Sequence, residues 1–340
     1  MLTQAYPHSV SYRQTINRMG WSMVFFIPAF RIFSSIALAV DVVAESIPSN
    51  TMHSVFLAIY GLLSSACYIA PFLLTGLFYY LLSHNTRSER VYYEVRLPAE
   101  FPLLILAGLA ILSAGAYVNA WFCSVIGYVA SEDAVYAVYY DNPRVIIDYM
   151  NIALAPAFAE EFLFRGVFYA NLRPYGRTQA ILLSSLLFAL MHQNIAQLFY
   201  TFVAGVAMAL MYELTQSIWC SVFFHMFNNQ LSVFKNLAVC GRFGEDAPLY
   251  FAIFDGVVLL LGIISIVVLI THYKKNSEKQ ALLRSRDGLA RRNVAVRRFD
   301  RPLPMSSALR GALSPGMIVF TAITATLMVV SYLAVLLQGG

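Results

Sequence analysis

The chain alternates long apolar runs with short polar breaks, and the runs are too long to be strands. Nine stretches read as helices: 21–43, 55–82, 101–128, 145–170, 178–193, 196–214, 217–236, 249–271 and 316–338. Most reach the roughly 20 residues that carry a helix across a bilayer core of ~30 Å. The fifth and sixth are short and are expected to meet at a tight bend near Gln193 and Asn194. The pattern predicts an all-α fold, a polytopic membrane bundle of eight to nine transmembrane helices. Eight spans plus one half-inserted helix fit as well as nine. The chain divides into N-terminal helices over 1–144, a central unit over 145–236, and C-terminal helices over 237–340 that enclose a polar loop at 272–310.

Composition agrees with the pattern. Hydrophobic residues make up 59% of the 340 and charged residues only 12%, about half the share in a soluble domain. About twenty polar residues precede the first run. That run is too long for the apolar region of a signal peptide and reads as a retained span. Cys67, Cys123, Cys220 and Cys240 are scattered without a CxxC pair, so neither a disulfide framework nor a thiolate metal site is signalled.

Loop charge sets the expected direction, because Lys and Arg accumulate on the cytoplasmic side. Residues 272–310 hold 11 of the 23 Lys and Arg and three acids. They are therefore placed inside. Counting back through nine spans puts the N-terminus inside as well, with Arg13, Arg18, the 84–100 loop, Arg173 and Arg177. Lys235 and Arg242 fall on the other side, against the trend. The expected location is a multi-pass protein of the cell membrane, and the basic loop is read as a topology signal that also attracts anionic lipid. It carries no aromatic platform, so no nucleic-acid partner is expected.

Against this background the stretch "APAFAEEFLFRGVFY", 155–169, is anomalous. A charge at mid-bilayer costs about 2.5–3.5 kcal/mol on insertion scales. Glu161 and Arg165 are four apart with the acid first, the favourable order for a helical ion pair. Glu160 lies about 100° around the helix and is left out of that pair, which makes it the candidate base. Pro156 removes an amide donor just upstream and predicts a local break. A buried ion pair that fixes packing accounts for Glu161 and Arg165 but leaves Glu160 unexplained.

Three further polar residues follow in apolar sequence: His192 at the end of "LLFALMHQN", and His225 and Asn229 in "SVFFHMFNNQ", one turn apart. A lone histidine in such a helix is more often a packing residue. Together the set offers a base, a partner and two donors. That chemistry suits attack of water on a carbonyl, with the carboxylate accepting the proton and the donors holding the oxyanion.

"EEFLFR", "FALMH" and "HMFNN" resemble the EExxxR, FxxxH and HxxxN motifs of the CPBP intramembrane proteases, which include type II CAAX prenyl endopeptidases and Abi bacteriocin-immunity proteins. The resemblance covers about 145–235. Where the family more often has a Gly before the last motif, this chain has Thr215-Gln216-Ser217. The resemblance implies that Glu160 activates water with help from His192, that Arg165 holds Glu161, and that His225 and Asn229 form the oxyanion site. It implies an endopeptidase acting on membrane-associated proteins or peptides in the lipid bilayer. The family has been described both as zinc-dependent and as metal-independent. Two His and a Glu suffice for an open zinc site, but HExxH is absent and Asn229 is a poor zinc ligand. No cofactor is therefore favoured, and zinc is the alternative. Two rival functions stand beside this one. A proton-coupled transporter would also use buried Glu and His, and Arg31 and Asp255 lie within other spans. A catalytically inactive immunity or scaffold member would keep the motifs without the reaction.

Overall fold

The computed structural model describes residues 12–45, 51–83, 95, 97–128, 150–239, 243–286 and 311–338. The expected loop at 129–143, Arg87, Arg90, Arg96, Cys240, Arg242 and the basic stretch beyond Arg286 lie outside these residues. Among the described residues the regular elements are all helical: α1 (Tyr12–Glu45), α2 (Thr51–Ser83), α3 (Phe101–Val125), α4 (150–175), α5 (Arg177–Met191), α6 (Leu198–Thr215), α7 (Ile218–Val239), α8 (Ala247–Arg286) and α9 (Pro315–Gln338).

Six of them are long and apolar enough to cross a membrane among the described residues: α1, α2, α3, α6 with the turn that leads into it, α8 and α9. The other three are α4, α5 and α7, the helices that carry the motifs. Each fails for a different reason. α4 is interrupted, α5 has only 15 residues, and α7 carries His225, Asn228, Asn229, Gln230, Lys235 and Asn236. The membrane-crossing helices enclose them. α2 packs on α4, and α1 packs on α2 and α9. On the other side α3 contacts α6 and α8, while α6 contacts α5 and α7.

α8 corrects the expected loop boundary. It runs for 40 residues, about 60 Å at 1.5 Å per residue, so the start of the 272–310 segment continues as helix through Arg286.

α4 is where local sequence and tertiary packing meet. It opens with a wide π-helical turn over Met150–Leu154, tightens to an α-helix over Ala155–Glu161, and widens again over Phe162–Tyr169. Pro156 has no amide hydrogen for the Ile152 carbonyl one turn back. That carbonyl accepts instead from Asn229 Nδ2 of α7, at 3.2 Å. Wide turns of this kind concentrate at functional sites, and here they bracket Glu160 and Glu161. At the far end of α4, Glu213 at the close of α6 accepts from Tyr169 Oη and pairs with Arg173 (3.0 Å) and Arg177 (2.6 Å). This cluster fixes the α4–α5 corner.

α6 ends on Gln216, whose φ of +52° is left-handed. It lies within the Thr215-Gln216-Ser217 turn, and a Gly at such a φ would meet no Cβ penalty. Gln216 holds the turn by donating its side-chain amide to the Glu213 carbonyl at 2.7 Å.

The first and last helices touch backbone to backbone. A Cβ on Gly20 would lie 2.3 Å from the Gly316 carbonyl carbon, and Gly316 N donates to Asn17 Oδ1 at 2.7 Å. Tyr12 lies against Gly311, and Phe30 and Arg31 share a cavity wall with Leu327 and Ser331. Contacts advance together along both helices, so α1 and α9 run parallel. A scheme with an odd number of crossings requires this.

Candidate active site

The motif residues converge at the centre of the bundle. Glu160, Glu161, Arg165 and His225 are all buried, and Arg165 has no exposed surface. Arg165 Nη1 donates to Glu161 Oε1 at 2.8 Å, the i,i+4 pair the spacing predicts. Its Nη2 donates to the Gly205 carbonyl at 2.7 Å, and its guanidinium lies 5.2 Å over the Phe188 ring. Gly205 makes this possible: α6 passes so close to α5 that a Cβ there would lie 2.9 Å from Ser185 Cα.

Glu161 is held on both oxygens. Oε1 also faces His225 Nδ1 at 3.1 Å, and Oε2 accepts from Ser221 Oγ. A carboxylate paired with arginine only accepts, so His225 Nδ1 carries a hydrogen. That leaves Nε2 as the working end of the ring, and it lies 3.8 Å from Glu160 Oε2.

Glu160 is not as isolated as the sequence implies. Its Oε1 accepts from Tyr68 Oη of α2. Helix geometry keeps it out of the Arg165 pair, but a second helix and His225 supply its surroundings. Glu160 therefore has one oxygen fixed by Tyr68 and one turned toward His225.

His192 stands at the C-terminal end of α5. Its Nδ1 lies 2.9 Å from the Phe188 carbonyl. A carbonyl only accepts, so Nδ1 bears the hydrogen and Nε2 is free to serve the site. His192 makes no hydrogen bond to Glu160. A cavity of about 380 Å³ has in its wall both His192 and Tyr68, the partner of Glu160. Asn229 is one turn beyond His225, as expected, but one amide hydrogen is committed to Ile152. Its Oδ1 faces Asn228 Nδ2 at 3.4 Å, and Asn228 in turn accepts from Tyr200 Oη. The structure thus joins Glu160, Glu161, Arg165 and His225 directly, and brings His192 and Asn229 to the periphery.

Tyr68 and Ser221 are absent from the sequence reading, which carried Phe188 only as the first residue of FxxxH. Phe188 packs edge-on against both His192 and His225, with centroids 5.0 and 5.9 Å away. Ser221 is legible in hindsight, one turn before His225 on the same face. Tyr68 lies 92 residues before Glu160. Its trace is a polar face in apolar α2, where Ser65, one turn earlier, bonds Asn151 of α4.

Among the described residues, no group of three or more His, Cys, Asp or Glu converges to hold a metal. Nδ1 of His225 and of His192 is engaged, which leaves Nε2 of each as the outward ring nitrogen.

The two residues that the transporter reading adds in other spans each have a neighbour. Asp255 of α8 pairs with Lys235 of α7 at 2.6 Å, which also accounts for a lysine on the side where few are expected. Arg31 donates to Gln193 Oε1 at 3.2 Å.

Comparison with known families gives one match. Residues 142–231 match the family described as type II CAAX prenyl endopeptidase Rce1-like. No curated protein and no solved structure gives a match. The matched segment contains all six motif residues, from Glu160 to Asn229, and excludes Tyr68. The resemblance drawn from the three motifs therefore stands on these 90 of 340 residues, over which the chain is similar to the Rce1-like type II CAAX prenyl endopeptidases.

Proposed function

We propose that this integral membrane protein is an intramembrane endopeptidase of the CAAX-protease type that cleaves membrane-associated proteins or peptides with a glutamate-activated water. One observation carries the reading. Two adjacent buried carboxylates have separate partners: Glu161 is saturated by Arg165, Ser221 and His225, while Glu160 accepts from Tyr68 on one oxygen and keeps the other toward His225.

In this mechanism Tyr68 fixes Oε1 of Glu160, and Oε2 takes a proton from water as the oxygen attacks the scissile carbonyl. The oxyanion is met by His225 Nε2–H and by the uncommitted amide hydrogen of Asn229. As the intermediate collapses, the C–N bond breaks and the proton on Glu160 passes to the leaving amine. His192 positions the water from the cavity wall. His225 acts as the imidazolium, with Nδ1–H held by Glu161. Two glutamates, one arginine and one imidazolium then sum to zero charge, the balance a desolvated interior favours. No step requires a metal.

Arg173 and Arg177 lie at the end of the bundle where α1 begins with Arg13 and Arg18, and we place that end in the cytoplasm. Tyr175, between Arg173 and Arg177, contacts Tyr12 and Thr15 at the start of α1. Tyr273 of α8 shares a groove with Leu214 at the end of α6.

The test is peptide release from membranes, wild type against Glu160→Gln. The substitution keeps shape and removes the base, so release falls to background while the thermal midpoint stays within a few degrees. Wild-type release persists in strong chelator. Retained release by Glu160→Gln sinks the assignment of the base. Loss of release on chelation, restored by zinc, sinks the metal-free mechanism.

A further inference from the structure

The cavity beside Glu160 holds a cation that the chemistry above does not use. Phe26, Phe30, Tyr68 and Phe72 form an aromatic wall from α1 and α2. Met191 to Asn194 form the opposite side, and Leu327 and Ser331 of α9 close it. Arg31 is an exposed member of this lining. It sits inside the apolar span Tyr12–Val40, where a charged side chain faces a cavity or a partner because lipid will not solvate it. Its partner among the described residues is the neutral side-chain oxygen of Gln193. No carboxylate there pairs with it. Gln193 is itself held at φ +52°, a conformation that non-glycine residues keep only where the surroundings enforce it.

An arginine that faces a pocket with an aromatic wall and has no counter-ion among the described residues has the chemistry of a carboxylate receptor. Its planar donors match a carboxylate in a bidentate fashion, and the aromatic wall accepts the apolar body attached to it. The volume lies in the range of small-ligand sites. The same cavity touches Tyr68, which holds Glu160, and His192. A ligand anchored at Arg31 therefore extends toward the reacting carboxylate.

We propose that Arg31 binds the C-terminal carboxylate of the peptide to be cleaved, with the last apolar side chains against Phe26, Phe30 and Phe72, so that it fixes how far from the chain end the cut falls. This rests on the endopeptidase reading and adds a specificity-determining residue outside the matched segment. A fatty acid carries the same terminal carboxylate on an apolar chain and is the competing source.

The test uses the full chain in lipid nanodiscs and one probe in two forms. The probe is a dansylated Gly-Cys-Val-Ile-Met peptide, farnesylated on cysteine as C-a-a-X ends are, as the free acid and as the C-terminal amide. Wild type is expected to cleave the acid with a KM about 10- to 100-fold below that of the amide, the range for hydrogen bonds to a charged group. Arg31→Gln brings the two KM values together, and Arg31→Lys restores part of the difference. If Arg31 only pins the α5–α6 bend through Gln193, Arg31→Gln weakens acid and amide alike, and the proposal falls.

Binding to Glu160→Gln protein, read by dansyl fluorescence, separates this inference from the endopeptidase reading. A preference for the acid that disappears in Glu160→Gln/Arg31→Gln supports the carboxylate site even if neither peptide is cleaved by wild type. Equal binding of both forms overturns the site even if cleavage is robust. Arg31-dependent binding of oleate, with no preference between the peptides, assigns the site to a lipid and overturns the peptide assignment.

Discussion

Glu160 and Glu161 are neighbours in sequence with opposite duties, and helix geometry divides them. Glu161 faces Arg165, and removing one member leaves the other charged and buried. Arg165→Ala is expected to cost about 3–5 kcal/mol, read as a drop in thermal midpoint together with lost activity. An unchanged midpoint would mean the pair does not hold the fold. Glu160 depends on a single hydroxyl from α2. Tyr68→Phe keeps the ring and removes that bond, so turnover is expected to fall about tenfold or more at little-changed KM and stability. A change confined to KM would instead assign Tyr68 to the cavity wall. The i,i+4 pair was legible in the sequence because its geometry is local. The Tyr68 contact was not, because nothing within one helix announces a partner 92 residues away. The same holds for the third contact of Glu161, since His225 Nδ1 reaches it from α7.

Among the elements, α4 and the α5–α6 pair decide where the charges sit. The sequence marked Pro156 as a break but gave no sign that Asn229 answers the carbonyl it leaves. Asn229 thereby clamps α4 to α7 and keeps a second amide hydrogen uncommitted. Gly205 sets the α5–α6 distance and supplies the carbonyl that receives Arg165. Gly205→Val should overpack this crossing by about 1–3 kcal/mol and lower activity in parallel. Gly256 of α8 has open space where a side chain would go, so Gly256→Ala should be neutral or stabilising by up to about 1 kcal/mol. Equal thermal midpoints for the two variants would refute the close approach. The apolar pattern found nine helices but overstated their equivalence. Hydropathy reports apolar length, and a helix sheltered by others needs neither the length nor the lipid-facing surface of a true span.

On the scale of the whole molecule, α1, α2 and α9 line one side of the three polar or broken helices and α3, α6 and α8 the other, and the parallel contact of α9 with α1 closes the first side. Asn17 and Gly316 bond across 299 positions. Cysteines placed at 12 and 311, where a Cβ would meet only the Tyr12 and Ile16 side chains, should be joined by a short bismaleimide, seen as an intramolecular band shift, whereas cysteines at 12 and 337 should not. The reverse result would make the two helices antiparallel and break the nine-crossing scheme. No sequence pattern pairs the first helix with the last, because small residues on each say only that something approaches closely.

That closure also orders events in time. The ribosome releases α9 after every other helix, yet Leu327 and Ser331 of α9 complete the cavity beside Glu160. Tyr68, Glu160, Glu161, Arg165, His192 and His225 are all threaded into the bilayer earlier. A half-made chain thus holds its charged centre while one wall of the cavity is open to lipid. The pocket reaches its final shape only after α9 has been made, so nothing can fit that pocket as it stands in the folded chain before then.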